Sequence, residues 1–539
     1  MNKYVLSPEF HRQIWLRFSW LRVLFVPVAL LCIIYCHYMI YNDDWASITA
    51  GRLLWVYFVL VAIWGNHEAA NTLRDEVRAN TWDMQRLTPH GPASLIFGKL
   101  FGTTSFVWYA GLLVLLAALG LHYVGGASQI PFDGLMPPLD DIAKLSLRHT
   151  VTLPNIAMAG FFMVMAGVLG HALAFLISFD GMVGKVEADP RNRRPRTVMA
   201  FVAGFCASWF LISKLGMPLL ENGRAFGWLR EINWYHLRMP TEDFVAVGAV
   251  FFTFWALVGL WRLAKAEMMY PLTPVYWFTG VAAISLFLGG LAFEPRMATR
   301  GSIFEDYRQY AFPFYVFTST LAATYYAMLA GAGDLRRYGR MMEALRSRLW
   351  RKVFENLPQW LASLVLVALA YVFVLQVVSK PVDNIGALFV KPSMYISLAS
   401  SLVLFALRDG LAMHVITALS TSASQKFERG AYYVLVYFLL PAVHLTIELK
   451  NMVVNPMRFL SIAQGEGVFH PVMYLGWYYP NIFPGFIFGV LPVLVQIGFI
   501  CIVYLVLRPK DKVLADAHKK PPRKTPRKFE VEEDVTWTS

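Results

Sequence analysis

The chain of 539 residues is 57% hydrophobic and only 15% charged, with a mean hydropathy of +0.48. Soluble globular proteins carry about 25% charged residues, so this deficit excludes an ordinary soluble enzyme and points to one continuous membrane domain. The formal net charge of +13 does not mark a nucleic-acid binder, because the basic residues gather at the ends of apolar runs instead of forming one basic surface.

The first residues, MNKYVLSPEFHRQIWLRFSWLR, are charged and amphipathic, and no small-residue cleavage site follows the next apolar run, which reads as a signal anchor. Phe10, Ile14, Leu16 and Phe18 interleave with His11, Arg12, Gln13 and Arg17, the spacing of an amphipathic helix lying in the interface within residues 1–20. Ser7 can cap it, with Pro8 at its first position and Glu9 in its first turn.

A crossing needs about 20 mostly apolar residues, with every backbone polar group bonded inside the helix. The candidates are residues 21–41, 53–64 (short, extendable to 70), 103–122, 153–179, 198–215 and 244–261, then 275–293, 313–332, 360–378, 393–407, 431–447 and 483–507. The expected fold is therefore all-α, a polytopic transmembrane helix bundle of about twelve spans with cytoplasmic amphipathic and coupling helices.

Basic residues alternate from loop to loop as the positive-inside rule requires. With the N-terminus inside, Arg74, Arg78 and Arg86 fall inside, followed by Lys185, Arg191, Arg193, Arg194 and Arg196. Arg262, Lys265, the run from Arg336 to Lys352, and Lys426 and Arg429 share that side. Asp43, Asp44, Asp133, Asp140 and Asp141 fall outside, with the mixed loop of Glu294, Arg296, Arg300, Glu305 and Asp306. Both termini are thus expected in the cytoplasm. The tail, residues 508–539, is Pro- and Lys-rich, then acidic, and reads as disordered; its basic part extends the positive-inside bias, with anionic lipid headgroups as the alternative partner.

Few residues within the spans carry chemistry. Cys32, Cys36, Cys206 and Cys501 lie in apolar stretches without a C-x-x-C pair and read as helix packing. His171 and His444 fall within spans, and His171 reads as an interhelical hydrogen-bonding residue. A proton- or sodium-driven carrier would need a buried carboxylate near the midplane, and no expected span holds a convincing one. No Walker-type, H-E-x-x-H, G-x-S-x-G or dinucleotide-binding motif occurs, so no catalytic, cofactor-binding or metal-ligating residue is assigned.

The segment NHEAANTLRDEVRANTWDMQRLTPHGPASLIFGKLFG, between the second and third spans, reads as two helices broken at Thr88-Pro89-His90-Gly91-Pro92. Its E-x-R-x-x-T-W-D-x-Q-R-L-T-P, followed by I-x-G-K-L, resembles the signature loop of type 2 permeases of ATP-binding-cassette (ABC) transporters. Glu76, Arg78, Thr81, Asp83, Leu87, Thr88, Pro89, Gly98, Lys99 and Leu100 carry the match, while Asn80 stands where that family commonly has Gly. The resemblance extends over residues 7–122, since the family also begins with an interfacial helix.

The resemblance implies a coupling loop within residues 66–100, whose stretch 76–89 seats in a separate cytoplasmic ABC ATPase subunit. Glu76, Arg78, Thr81, Trp82, Asp83, Arg86, Thr88, Pro89 and Lys99 would form it. It further implies a transport permease and not an enzyme, with no cofactor of its own because ATP is bound by the partner. Such a permease, an exporter on this reading, would sit in the cytoplasmic (inner) membrane among lipids, with a second permease subunit as a further partner.

Farther on, SRLWRKVFENLPQWLASLVLVAL repeats the layout of RQIWLRFSWLRVLFVPVAL, and LRDGLAMHVITALSTSASQKFERG reads as a degenerate second coupling connector. The expected organisation is a membrane domain over 21–332, a basic amphipathic helix over 333–358, and a second membrane unit over 359–507. The alternatives are a membrane-embedded transferase for lipid-linked substrates, for which Asp140, Asp141, Glu305 and Asp306 supply outer acids without a motif, and a non-transporting membrane scaffold.

Overall fold

The computed structural model describes residues 8–41, 45–78, 82, 84, 91–127, 153–180, 197–222, 231–268, 270, 273–291, 308–331, 335–378, 392–419, 425–439 and 491–507. The N-terminal helix α1 (Pro8–Arg17) precedes α2 (Trp20–Ile40) and α3 (Trp45–Phe58), which continues through a π-helical stretch (Val59–Gly65) into α4 (Asn66–Arg78). Then come α5 (Pro92–Thr103), α6 (Ser105–Ala127), α7 (Leu153–Asp180), and α8 (Thr197–Leu211), which passes through a second π stretch into α9 (Met217–Asn222). A hairpin of β1 (Glu231–Trp234) and β2 (Leu237–Pro240) leads to α10 (Thr241–Glu267) and α11 (Val275–Gly290). The rest comprises α12 (Arg308–Gly331), α13 (Leu335–Arg346), α14 (Trp350–Glu355), α15 (Gln359–Val378), α16 (Pro392–Leu419), α17 (Gln425–Val434) with a third π stretch (Leu435–Leu439), and α18 (Leu491–Leu507).

Among the described residues, eight helical segments are long and apolar enough to cross a bilayer: Trp20–Ile40, Trp45–Arg74, Ser105–Gly125, Leu153–Asp180, Thr197–Leu220, Thr241–Glu267, Gln359–Val377 and Leu398–Ile416. The chain is therefore a helical, multi-pass membrane protein. Each of the eight falls on an expected span. The apolar α11 has 16 residues, about 24 Å at the helical rise, against a hydrocarbon core of about 30 Å. Residues 440–447 and 483–490, parts of the last two expected spans, lie outside the described residues, as do Ser7, His444 and the tail.

Several spans run past their expected ends, two of them through charged residues whose side chains are hydrogen-bonded to neighbouring elements. The second span starts at Trp45 rather than residue 53 and includes Arg52, which donates to the Tyr41 hydroxyl at 2.6 Å and contacts His37 Nε2 at 3.0 Å. The tenth span does not stop at 407. It runs through Arg408 and Asp409 to Leu419, so LRDGLAMH, expected in a connector, lies inside that helix. Pro27 inside α2 is tolerated on the same principle: proline donates no hydrogen bond to the Val23 carbonyl, and the Tyr109 hydroxyl takes that carbonyl instead at 2.8 Å.

One short hairpin interrupts the otherwise helical chain among the described residues. Glu231 pairs with Pro240 and Trp234 with Leu237. Its two-residue turn forces Tyr235 to a φ of 53°, a conformation costly for a bulky side chain. Three bonds to α11 hold it: Tyr235 N to the Gly290 carbonyl at 3.0 Å, Tyr235 hydroxyl to the Leu286 carbonyl at 2.8 Å, and Trp234 Nε1 to the Phe287 carbonyl at 3.0 Å. The expected single basic helix over 333–358 is split into α13 and α14 around Arg348, whose φ is 55°.

The chain divides into two compact units, residues 1–316 with 344–357, and 317–343 with 358–539. In the first, one apolar core joins Leu53, Tyr57, Val61, Val114, Phe162 and Ile212. Small residues let α7 and α8 cross closely, since a Cβ on Gly170 would lie 2.0 Å from Ser208 Oγ. That is the membrane-helix solution, in which backbone approach and buried hydrogen bonds replace hydrophobic drive. Asn66 donates to Ser208 Oγ at 2.9 Å, and Ser208 donates to the Ala166 carbonyl at 2.8 Å. His171 Nε2 lies 3.0 Å from the Val61 carbonyl; a carbonyl only accepts, so His171 is the interhelical donor its position suggests. The four cysteines are free and exposed on helix surfaces, not in packed interfaces.

Candidate functional site

The segment resembling a coupling loop is carried on two arms, α4 and α5, whose apolar faces enter a second core of the first unit. Ala69, Leu73, Leu95 and Leu100 pack there with Phe175, Phe179 and Leu260. Between the arms, Trp82 is 2% exposed and meets Phe179 edge-on, with ring centroids 5.8 Å apart. Its Nε1 donates to Glu267 Oε1 at 3.3 Å, tying it to the end of α10.

On the other side of the arms lies α1, which turns polar side chains toward them. The polar Glu9 and Gln13 are buried, whereas Trp15 and Leu16 are 81% and 55% exposed. The inward face is polar because a charge is waiting for it. Lys99 on α5 is fully buried, its ammonium 3.2 Å from Glu9 Oε1 and 2.5 Å from Glu76 Oε1 on α4. Arg12 Nη2 completes the cycle, 2.8 Å from Glu9 and 3.1 Å from Glu76, and Gln13 donates to Glu9 Oε1 at 2.9 Å. Two carboxylates and two cations alternate, so a net-neutral brace ties three helices together. Its closeness depends on Gly102, where a Cβ would lie 2.6 Å from the Gln13 Cβ.

Burial is the largest single influence on Glu9 and opposes its ionisation. The hydrogen bond from Arg12, the charge of Lys99 and the bond from Gln13 outweigh it, holding the carboxyl below its usual value. The bond to Glu9 likewise raises Arg12. Farther along α4, Arg17 pairs with Glu68 at 2.8 Å and Trp64 Nε1 donates to the same carboxylate at 3.2 Å.

The structure thus joins Glu76 with Lys99 and buries Trp82. Arg78 is the last residue of α4. Thr81, Asp83, Arg86, Thr88 and Pro89 lie outside the described residues. Glu9 and Arg12 were expected on the interfacial helix, as a first-turn acid and a polar-face base, but not at this site; their spacing of one turn was the available signal.

A second polar cluster, in the second unit, contradicts the expectation that the spans lack a buried carboxylate. Asp409 is 0% exposed, at the middle of the apolar window Leu398–Ile416. Arg408 Nε donates to its Oδ1 at 2.8 Å, Tyr432 to Oδ1 at 2.7 Å and Tyr325 to Oδ2 at 3.0 Å, and the Tyr437 hydroxyl also donates to Oδ2. Arg408 reaches Gln496 Oε1 on α18 at 2.8 Å and the Tyr437 hydroxyl at 2.7 Å, with its guanidinium 4.3 Å from the Phe405 ring centre. Four helical segments, α12, α16, the α17 region and α18, converge on one neutralised pair. No family model matches the chain, nor does any curated protein or solved structure.

Proposed function

We propose that this chain is the membrane-spanning permease subunit of an ABC transporter working as an exporter, with about twelve spans, both ends in the cytoplasm and a cytoplasmic-membrane location. A separate ATPase docks on residues 76–89 and biases the permease between inward- and outward-facing states, because ATP binding changes its affinity for the two. The observation that carries the reading is the Glu9–Arg12–Glu76–Lys99 brace. A loop that transmits a push from a docked protein must not flex at its roots. Here both roots and the interfacial helix are tied by buried charge, while Trp82 and Glu267 tie the loop to α10.

Affinity purification of the chain from its own membranes tests this. A nucleotide-hydrolysing subunit is expected to accompany the wild type and to fall at least tenfold in a Thr88→Glu, Pro89→Ala variant. Equal recovery with the variant, or no ATPase with the wild type, would sink the docking assignment.

A specific observation favours a second reading, an ion-coupled carrier. A buried intramembrane carboxylate with an arginine partner is the default mark of an ion or proton path, and Asp409 with Arg408 is such a pair. Proton uptake by proteoliposomes holding this chain alone would favour this reading over the first.

A further inference from the structure

The first unit contains a cleft of about 570 Å³ between α2 on one side and α3, its π stretch and α6 on the other. Its walls are apolar, among them Ala29, Ile33, Leu53, Leu60, Val107 and Ala110, and polar side chains gather at one end, where Arg17, Arg22, Glu68 and Thr103 stand. No residue of α2 is buried. We propose that it is a binding site for one anionic glycerophospholipid, with an acyl chain along the apolar walls and the phosphate at Arg22 and Arg17.

Three observations select this occupant. At about 30 Å³ per molecule, water would have to fill the space with about 19 molecules while finding partners only at one end. From Arg22 to Ile33 the cleft follows α2 for ~17 Å at the helical rise, about half the ~30 Å of bilayer hydrocarbon and so the depth of one leaflet. The charge at the mouth is also right. Glu68 neutralises Arg17, whereas Arg22 is exposed, its guanidinium donates to the Arg17 carbonyl at 3.3 Å, and it pairs with no carboxylate among the described residues. The mouth keeps one positive charge at the level where a headgroup phosphate lies. The site stands independently of the transport reading.

Native mass spectrometry of the full chain, extracted in mild detergent and equilibrated with equimolar dioleoyl-phosphatidylglycerol and dioleoyl-phosphatidylcholine, tests it. The wild type is expected to retain phosphatidylglycerol in preference, and Arg22→Gln, an exposed substitution that leaves the brace intact, to weaken that preference roughly fivefold. Ala29→Phe, which fills the cleft from α2, is expected to lower retention of both lipids. Equal retention of the two lipids by the wild type, an unchanged preference in Arg22→Gln, or undiminished retention in Ala29→Phe would each overturn the assignment. So would a lipid-free dimer in which a second copy of the chain occupies the cleft.

Discussion

Lys99 shows why a buried charge is informative. Its side chain is 0% exposed, and removing an ammonium from water costs several kcal/mol that only well-placed partners return. Such pairs rarely raise stability above that of an apolar substitute, but breaking one is costly. Lys99→Met should therefore destabilise the detergent-solubilised protein by about 3 kcal/mol, read from the denaturation midpoint, because Glu9 and Glu76 would face each other with Arg12 alone between them. The pair Lys99→Met, Glu76→Gln should recover most of that loss. A single variant within about 0.5 kcal/mol of wild type would mean the brace contributes nothing. The pH dependence has a definite sign. Glu9 is held below its usual value near 4.5, so its contribution is complete above that pH and is lost as pH falls through the lowered value. Acidification below about 4.5 should weaken the wild type, and Glu9→Gln should flatten that part of the curve.

At the scale of elements, the close crossing of α7 and α8 lets glycine positions be ranked. A Cβ on Gly170 would lie 2.0 Å from Ser208 Oγ and 2.9 Å from the Gly204 carbonyl, whereas one on Gly120 of α6 meets nothing within 4 Å. Gly170→Ala should cost about 1–3 kcal/mol through overpacking, and Gly120→Ala should be neutral or stabilising by up to about 1 kcal/mol; thermal unfolding of the two variants side by side decides. The helices themselves were legible as apolar runs because lipid leaves the backbone no other partners. Their ends were not always legible, since Arg52 and the Arg408–Asp409 pair resemble boundaries until the side chains that satisfy them are known. The hairpin was hidden for another reason. Its turn is Tyr235–His236, without the Gly or Asn that usually announces one, and its stability comes from bonds to α11.

Across the whole molecule, sequence exposed charges that sit beside each other in the chain and concealed those that meet from afar. Glu76 and Lys99 belong to one motif, while Glu9 lies 90 residues from Lys99 and Arg12 lies 64 from Glu76. Arg408 and Asp409 are adjacent, yet read as a cytoplasmic connector because their tyrosine partners come from separate helices. This second cluster supplies the sharpest separation of structure from function. Asp409→Asn leaves Arg408 buried without its counter-charge and should cost about 3–5 kcal/mol. The double change Arg408→Met, Asp409→Leu removes both charges and should return stability close to wild type, although Gly410 beside them leaves little room: a Cβ there would lie 2.9 Å from Trp360. If the pair serves only packing, the refolded double variant keeps whatever flux the wild type shows in proteoliposomes under a pH gradient. If the pair carries the ion path, the double variant is as stable as wild type and silent. A double variant no more stable than Asp409→Asn would show instead that the three tyrosines and Gln496 need a charged centre to pack around, and would assign the cluster a structural role.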